Sequence, residues 1–228
     1  FARARRGAAG GAGASVSGGR GTLPMTTGHT VSGHVVSPPP CVLFVGGVRS
    51  GKSGLAQAWA EAQAPRRLFV ATCRVADAEM ERRVRLHRAA RGSRWACREV
   101  PLEVPAALDA FWTAESAPRE GRPGVVLLDC VSMWLANLLE AGHEDAAVLG
   151  RVDALAASLG RRRAPVAVVT AETGLGLVPP SPLGRRFLDL LGLANQRLAR
   201  AADHVILVAC GLPLALRGSI PPELEPQP

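Results

Sequence analysis

Tyrosine is absent from the 228 residues, aromatic side chains make up only 4%, and lysine occurs once. So few aromatics leave little on which nucleic-acid bases could stack. No apolar run approaches the roughly 18 to 20 residues needed to cross a bilayer, so no membrane span is expected. The five cysteines, at 41, 73, 97, 130 and 210, are odd in number and show neither CxxC nor paired Cys/His spacing. Neither a disulfide framework nor a zinc site is supported. Cys41, Cys130 and Cys210 lie in or beside apolar runs, where a free thiol packs as a small hydrophobe in a reducing compartment, so a cytoplasmic location is expected.

The formal net charge is +8, and it is unevenly spread. Residues 1–40 carry Arg3, Arg5, Arg6 and Arg20 with no Asp or Glu, so half the excess sits there. The same stretch is rich in Gly, Ala and Ser, ends in Pro38-Pro39-Pro40, and lacks the continuous apolar core of a secretory signal. It is expected to be a disordered tail. Because the chain opens on Phe1 with Met25 inside, an over-extended or truncated gene start is the expectation for it. The remainder is mildly basic, which suits phosphate ligands at least as well as a polyanion surface.

After Pro40, short β-branched runs alternate with amphipathic stretches. The runs at 41–45, 67–71, 125–129, 165–170 and 204–209 read as buried strands, and 95–100 reads as a further short one. Helices are expected at 52–63, 76–90, 103–115, 132–160 with a break near Gly142, and 183–202. Strand then helix, repeated, predicts an α/β three-layer sandwich with a mostly parallel central sheet and right-handed crossovers. The proline-rich end, 218–228, is expected to be loose.

Directly after the first strand stand Gly46, Gly47, Val48, Arg49, Ser50, Gly51, Lys52 and Ser53, a complete GxxxxGK[ST] motif. Its glycines let backbone amides turn inward around a phosphate, Lys52 reaches the terminal phosphate oxygens, and Ser53 offers its hydroxyl to Mg²⁺. Elsewhere this chain uses Arg for every basic position but histidine, so Lys52 marks a site needing a compact charge on a flexible stem. Asp129, ending the run VVLLD, is the matching acid for the metal. The fold is therefore read as a P-loop NTPase type with residues 41–217 as one catalytic domain, a reading that by itself names no reaction.

Further segments narrow it. Thr72 in VATCRVADAEMERRVRLHR, Trp95 and Glu99 in WACREV, and Asp129 to Leu139 in DCVSMWLANLL follow in order. Then come ETGLGLVP (172–179), Asn195-Gln196 in LANQRLA, and GLPLALR. As an ordered set spanning about Cys41 to Arg217, they resemble the bifunctional adenosylcobinamide kinase/adenosylcobinamide-phosphate guanylyltransferases of cobalamin biosynthesis.

That resemblance implies phosphorylation of adenosylcobinamide, then transfer of GMP from GTP to the phosphate through a GMP-histidine intermediate, giving adenosylcobinamide-GDP and pyrophosphate. The matching histidine is His87. By the same matching, Gly46 to Ser53, Ala71, Thr72, Cys73, Arg88, Ala89, Ala90, Arg91, Glu99 and Asp129 would contact the nucleotide, with Ser53 and Asp129 at Mg²⁺. GTP or ATP and a corrinoid are the implied substrates. A homo-oligomer is implied too, a trimer with active sites near subunit boundaries, although no interface is legible in the residues. Chemistry agrees on His87: a neutral imidazole can attack the α-phosphorus, and Arg85, Arg88 and Arg91 can neutralise the phosphates. His29, His34, His143 and His204 read as structural.

The sequence departs from the family at two places. Ala171 stands before Glu172 where Asn is common, and Cys73 replaces a usual Ser, which bears on substrate contacts and on the kinase half. Two rival readings stand beside this one. A P-loop ATPase or small-molecule kinase without guanylyl transfer would leave His87 idle. A basic nucleic-acid-binding module is disfavoured by the charge held in the tail and by the scarce aromatics.

Overall fold

The five apolar runs are strands of a single sheet. The computed structural model describes residues 38–74, 82, 94–113 and 124–225, and these contain seven strands and five α-helices. In chain order they are β1 (Cys41–Gly46), α1 (Lys52–Gln63), β2 (Arg67–Ala71), β3 (Trp95–Glu99), α2 (Val104–Thr113), β4 (Val125–Asp129) and α3 (Val131–Glu140). Then follow α4 (Asp145–Gly160), β5 (Val166–Ala171), α5 (Pro182–Ala201), β6 (His204–Ala209) and β7 (Leu212–Arg217). Of the expected helix at 76–90, only Arg82 is described, and it is helical. The expected 132–160 helix breaks as anticipated: Gly142 adopts a left-handed φ of 81° between α3 and α4.

The strand order is β3-β2-β4-β5-β1-β6-β7. Every neighbouring pair is parallel except β6 and β7, which form an antiparallel hairpin. Parallel central strands are covered on both faces, and β1 accordingly buries all six of its residues. Alternate residues serve two cores. Leu43, Val45, Val70, Val126, Leu128 and Val168 pack under α2, α3, α4 and α5. Val42, Phe44, Leu127, Val169 and Ile206 face the other way, onto Ala56, Trp59 and Ala60 of α1.

The two edges of the sheet are β3 and β7, outside the five long apolar runs. WACREV does form a strand, and it lies at the sheet edge with exposed residues. GLPLALR adds β7, which the alternation of strands and helices did not foretell. Pro213 is tolerated there because an edge strand needs amide donors on one side only.

The expectation of a loose end at 218–228 is corrected over the described part, which reaches residue 225. Pro222–Leu224 forms a 3-10 turn, Leu224 is buried in the α1-side core, and Gln63 donates to Glu223 at 3.2 Å. Ile220 packs on the same core and Pro221 is buried, and a proline-stiffened segment loses little backbone entropy on docking. His204 helps, its Nδ1 lying 2.9 Å from the Ser219 carbonyl oxygen.

The start of β1 is pinned from the far side of the sequence. Asp203 Oδ2 accepts from the Cys41 amide at 2.7 Å and from Arg162 at 2.6 Å. Arg162 is itself buried, and also donates to the carbonyls of Pro39 and Leu159.

Candidate active site

Ligands of parallel α/β sheets gather at the carboxyl ends of the strands. At that edge β1 gives way to the Gly46–Ser53 loop, which closes on Lys52, the first residue of α1. Two glycines are dictated by space and backbone. A Cβ on Gly46 would stand 2.5 Å from the Val208 carbonyl oxygen and 2.6 Å from Ser50 Oγ, and Gly51 has φ 96°. Arg49 holds a left-handed φ of 57° without being glycine, a conformation that costs on the order of 1–3 kcal/mol and clusters at functional sites.

The loop is braced on three sides. Lys52 Nζ donates to the Gly47 carbonyl at 3.0 Å, the Glu172 amide to Gly46 at 3.1 Å, and the Gly211 amide to Ser50 at 2.8 Å. The GLPL segment thus supports the loop through its turn. Among the described residues, Ser50 Oγ is the buried side-chain oxygen with no hydrogen-bond partner. An oxygen left so costs about 1–3 kcal/mol, and an arriving phosphate would relieve it.

Asp129 ends β4, aligned with Ala71 of β2 and Val169 of β5. One strand, β5, separates β4 from β1, so two spacings of about 4.8 Å put the acid roughly 10 Å from the loop strand. Hydrated Mg²⁺ together with a phosphate fills such a gap, and the hard oxygens of Ser53 and Asp129 fit it. Burial and the Asp129 charge push the Cys130 thiol up to about 11 against an opposing pull from Lys52, so the acid and the lysine act on one point. Cys130 is thereby an inert thiol at neutral pH.

Thr72 and two asparagines hold this edge in place. Thr72 Oγ1 accepts from the Cys130 amide at 2.9 Å and donates to the Cys130 carbonyl at 2.8 Å, fastening β2 to the residue after Asp129. Asn137 Nδ2 donates to the carbonyls of Thr72 (2.7 Å) and Pro101 (2.9 Å). Asn195 Oδ1 accepts from Thr170 Oγ1 at 2.7 Å, and its Nδ2 donates to the Ala171 carbonyl at 3.0 Å. The sequence reading gave these asparagines no role. Their signal was there: a polar side chain on the apolar face of an amphipathic helix must find buried partners.

Gly46 to Ser53, Ala71, Thr72, Cys73 and Asp129 all lie at the carboxyl edge. Glu99 shares the register row of Ala71 and Asp129 but ends β3, four spacings or about 19 Å from β1. It is out of reach of phosphates in the loop. His87, Arg88, Ala89, Ala90 and Arg91 fall outside the described residues. Cys210 corrects the view that it packs as a hydrophobe: it is exposed, with φ 54°, in the β6–β7 turn.

Residues 42–216 match the family model described as cobinamide kinase / cobinamide phosphate guanyltransferase. The chain belongs to that family. The bifunctional adenosylcobalamin biosynthesis protein CobP of Pseudomonas aeruginosa is 37% identical over 176 residues, 77% of this chain and 96% of that protein. CobU of Salmonella typhimurium and CobU of Escherichia coli, with the same description, are each 36% identical over 188 residues, 77% of this chain and 99% of theirs. Among solved structures, the ATPase domain of G40P superposes at a TM-score of 0.42 with 11% identity, over 74% of this chain and 68% of that one. In the numbering of this chain, the cobinamide kinase / guanyltransferase match embraces the P-loop, Asp129, both asparagines and nearly all of β7. Among the described residues no helix is long and apolar enough to cross a membrane.

Proposed function

We propose that the chain carries out both reactions of its family: phosphorylation of adenosylcobinamide by a nucleoside triphosphate, then transfer of GMP from GTP to the product. The observation that carries this reading is the braced Gly46–Ser53 loop facing Asp129 across one strand, inside a family match covering residues 42–216.

In the first reaction the corrinoid hydroxyl oxygen bonds to the γ-phosphorus, the bond to the nucleoside diphosphate breaks, and the hydroxyl proton leaves to solvent. Lys52 and the loop amides hold the triphosphate, and Ser53 and Asp129 would hold Mg²⁺, which supplies charge neutralisation on the phosphates. In the second, a His87 nitrogen bonds to the α-phosphorus of GTP and pyrophosphate departs. The phosphate of adenosylcobinamide phosphate then takes the α-phosphorus, the P–N bond breaks, and His87 is freed. Arg88 and Arg91 neutralise the phosphates. Ala71, Cys73, Ala89 and Ala90 line the nucleotide, Thr72 holds the edge behind them, and Glu99 serves the nucleoside end. The working form is a cytoplasmic homo-oligomer, a trimer.

The test is incubation of the full chain with Mg²⁺, α-labelled GTP and adenosylcobinamide, followed by product masses. Acid-labile GMP bound to the protein and adenosylcobinamide-GDP in solution are expected. His87→Ala and His87→Asn are expected to lose both while still making adenosylcobinamide phosphate. Label retained by either variant, or equal loss of both activities in a folded variant, would refute the assignment.

A further inference from the structure

Phosphoryl transfer to an alcohol is helped by a group that receives the hydroxyl proton and aims the oxygen at phosphorus. Lys52, Ser53 and Asp129 are committed to phosphate and metal. The sheet restricts where another such group can stand. β5 lies between β1, which leads into the phosphate loop, and β4, which ends in Asp129, about 4.8 Å from each. Whatever spans the loop and the acid therefore sits over the carboxyl end of β5.

That end is held firmly. Thr170, fully buried, donates to Asn195 Oδ1 at 2.7 Å, and Asn195 Nδ2 donates to the Ala171 carbonyl at 3.0 Å. Ala171 is aligned with Gly46 of β1 and brings only a methyl group to the edge. The first side chain there with acid–base chemistry is that of the next residue, Glu172. Its amide donates to the Gly46 carbonyl at 3.1 Å, so its backbone is fixed to the first residue of the loop.

The half-buried Glu172 side chain is fixed as well. Oε1 accepts from the Gly174 amide at 2.7 Å, and glycine suits that turn because a Cβ at 174 would stand only 3.1 Å from the same oxygen. A carboxylate has about four acceptor sites, so one hydrogen bond leaves others for a ligand. Ion pairs among the described residues engage Glu61, Glu103, Asp109, Asp145, Asp153 and Asp203, but not Glu172. Beside bound phosphates a second anion is repelled, and the repulsion is relieved when it accepts a proton.

We propose that Glu172 is the catalytic carboxylate of the kinase step, which accepts the hydrogen bond of the corrinoid hydroxyl, aims its oxygen at the γ-phosphorus and takes its proton. The new oxygen–phosphorus bond forms as the bond from the γ-phosphorus to the bridging oxygen breaks. The electron pair stays on the nucleoside diphosphate, and Glu172 passes the proton to solvent. This rests on the functional reading above and deepens it. Guanylyl transfer makes no use of Glu172, because its acceptor is an anionic phosphate that needs no base.

The experiment measures both half-reactions in the full chain as wild type, Glu172→Gln and Glu172→Ala. Gln keeps an oxygen for the Gly174 amide but takes no proton, whereas Ala loses both functions. Glu172→Gln is expected to lower kcat for adenosylcobinamide phosphorylation roughly 10²- to 10⁴-fold with the KM for the nucleoside triphosphate unchanged, and Glu172→Ala at least as far. Covalent labelling by α-labelled GTP, and guanylylation of supplied adenosylcobinamide phosphate, are expected to match wild type in both variants. A Gln variant that loses less than about tenfold overturns the proposal, and a crippled Ala variant beside it makes the side chain a brace of the Gly174 turn. Equal loss of phosphorylation and labelling in the Gln variant overturns it too, since the side chain then acts through the shared loop. A wild-type chain that takes GMP label but leaves adenosylcobinamide untouched overturns the functional reading and the role of Glu172 together. Wild-type turnover with an unimpaired Gln variant overturns the role of Glu172 alone.

Discussion

Replacing Asn137 by Asp changes one NH₂ group to an oxygen at a position 2% exposed, and so isolates what the two donated hydrogen bonds contribute. In the wild-type chain the amide nitrogen serves the carbonyls of Thr72 at 2.7 Å and Pro101 at 2.9 Å. Asp⁻ has no proton for either. Each orphaned buried carbonyl costs about 1–3 kcal/mol, so the pair costs roughly 2–6 kcal/mol. A buried carboxylate facing two carbonyls instead binds a proton, which raises its folded pKa and restores one of the two bonds. Since the folded form then holds its proton more tightly than the unfolded one, Asn137→Asp is most stable below about pH 4. It loses about 1.4 kcal/mol per pH unit as pH rises toward its folded pKa. At pH 7 the deficit is expected to be about 4 kcal/mol, or on the order of 10 °C in Tm for a chain this long. Urea unfolding of wild type and variant at pH 5, 6 and 7, followed by tryptophan fluorescence, measures it. Trp134 is a convenient reporter, since its Nε1 donates to Leu102 from the same helix. A variant within about 0.5 kcal/mol of wild type at pH 7 would refute the reasoning. A deficit that does not change between pH 5 and 7 would refute the proton part of it.

Lys52→Ala is expected to lower both reactions by roughly 10²-fold or more, and Lys52→Arg not to restore them, because a planar fork does not replace a point charge bonded inside the loop. Steady-state assays of each half-reaction check this, and full activity in the Arg variant would contradict it. Arg162→Met strips donors from Asp203 and from the Pro39 and Leu159 carbonyls. With the Asp203 side chain 44% exposed and partly rescued by water, a loss of about 2–3 kcal/mol in urea unfolding is expected. Burial pushes the Cys41 thiol up to about 12. The unfolded thiol ionises first, so stability is whole below about pH 9 and falls by about 1.4 kcal/mol per pH unit above it. Cys41→Ala is expected to flatten that alkaline slope by this amount in urea midpoints taken at pH 8, 9 and 10.

The central strands and the phosphate loop were legible because each is a local pattern: an unbroken apolar run for a strand buried on both faces, and an eight-residue motif for the loop. β7 was not legible, since Leu212, Leu214 and Leu216 alternate with Pro213 and Ala215, and what makes the segment a strand is its partner β6. The docking of Leu224 was hidden for a similar reason: proline content speaks of local stiffness, and the depression beside α1 is made by distant residues. Asn137 and Asn195 appeared within motifs, but their roles depend on which carbonyls the folded chain brings to them. Glu99 was read as one contact among many, and only the sheet order reveals that four strand spacings set it apart from the loop.

The anchoring of Cys41 by Asp203 joins residues 162 positions apart. A ribosome adding about 5–20 residues per second needs roughly 8–30 s to cover that interval. For most of it, the six-residue strand that leads into the phosphate loop has neither of its lasting neighbours: β5 is made only at Val166–Ala171, and β6 follows after Asp203. The turn that braces the loop, at Gly211, emerges later still. The braced phosphate loop is therefore complete only once the chain has been made through Gly211, and until then a growing chain must keep CVLFVG shielded or transiently paired.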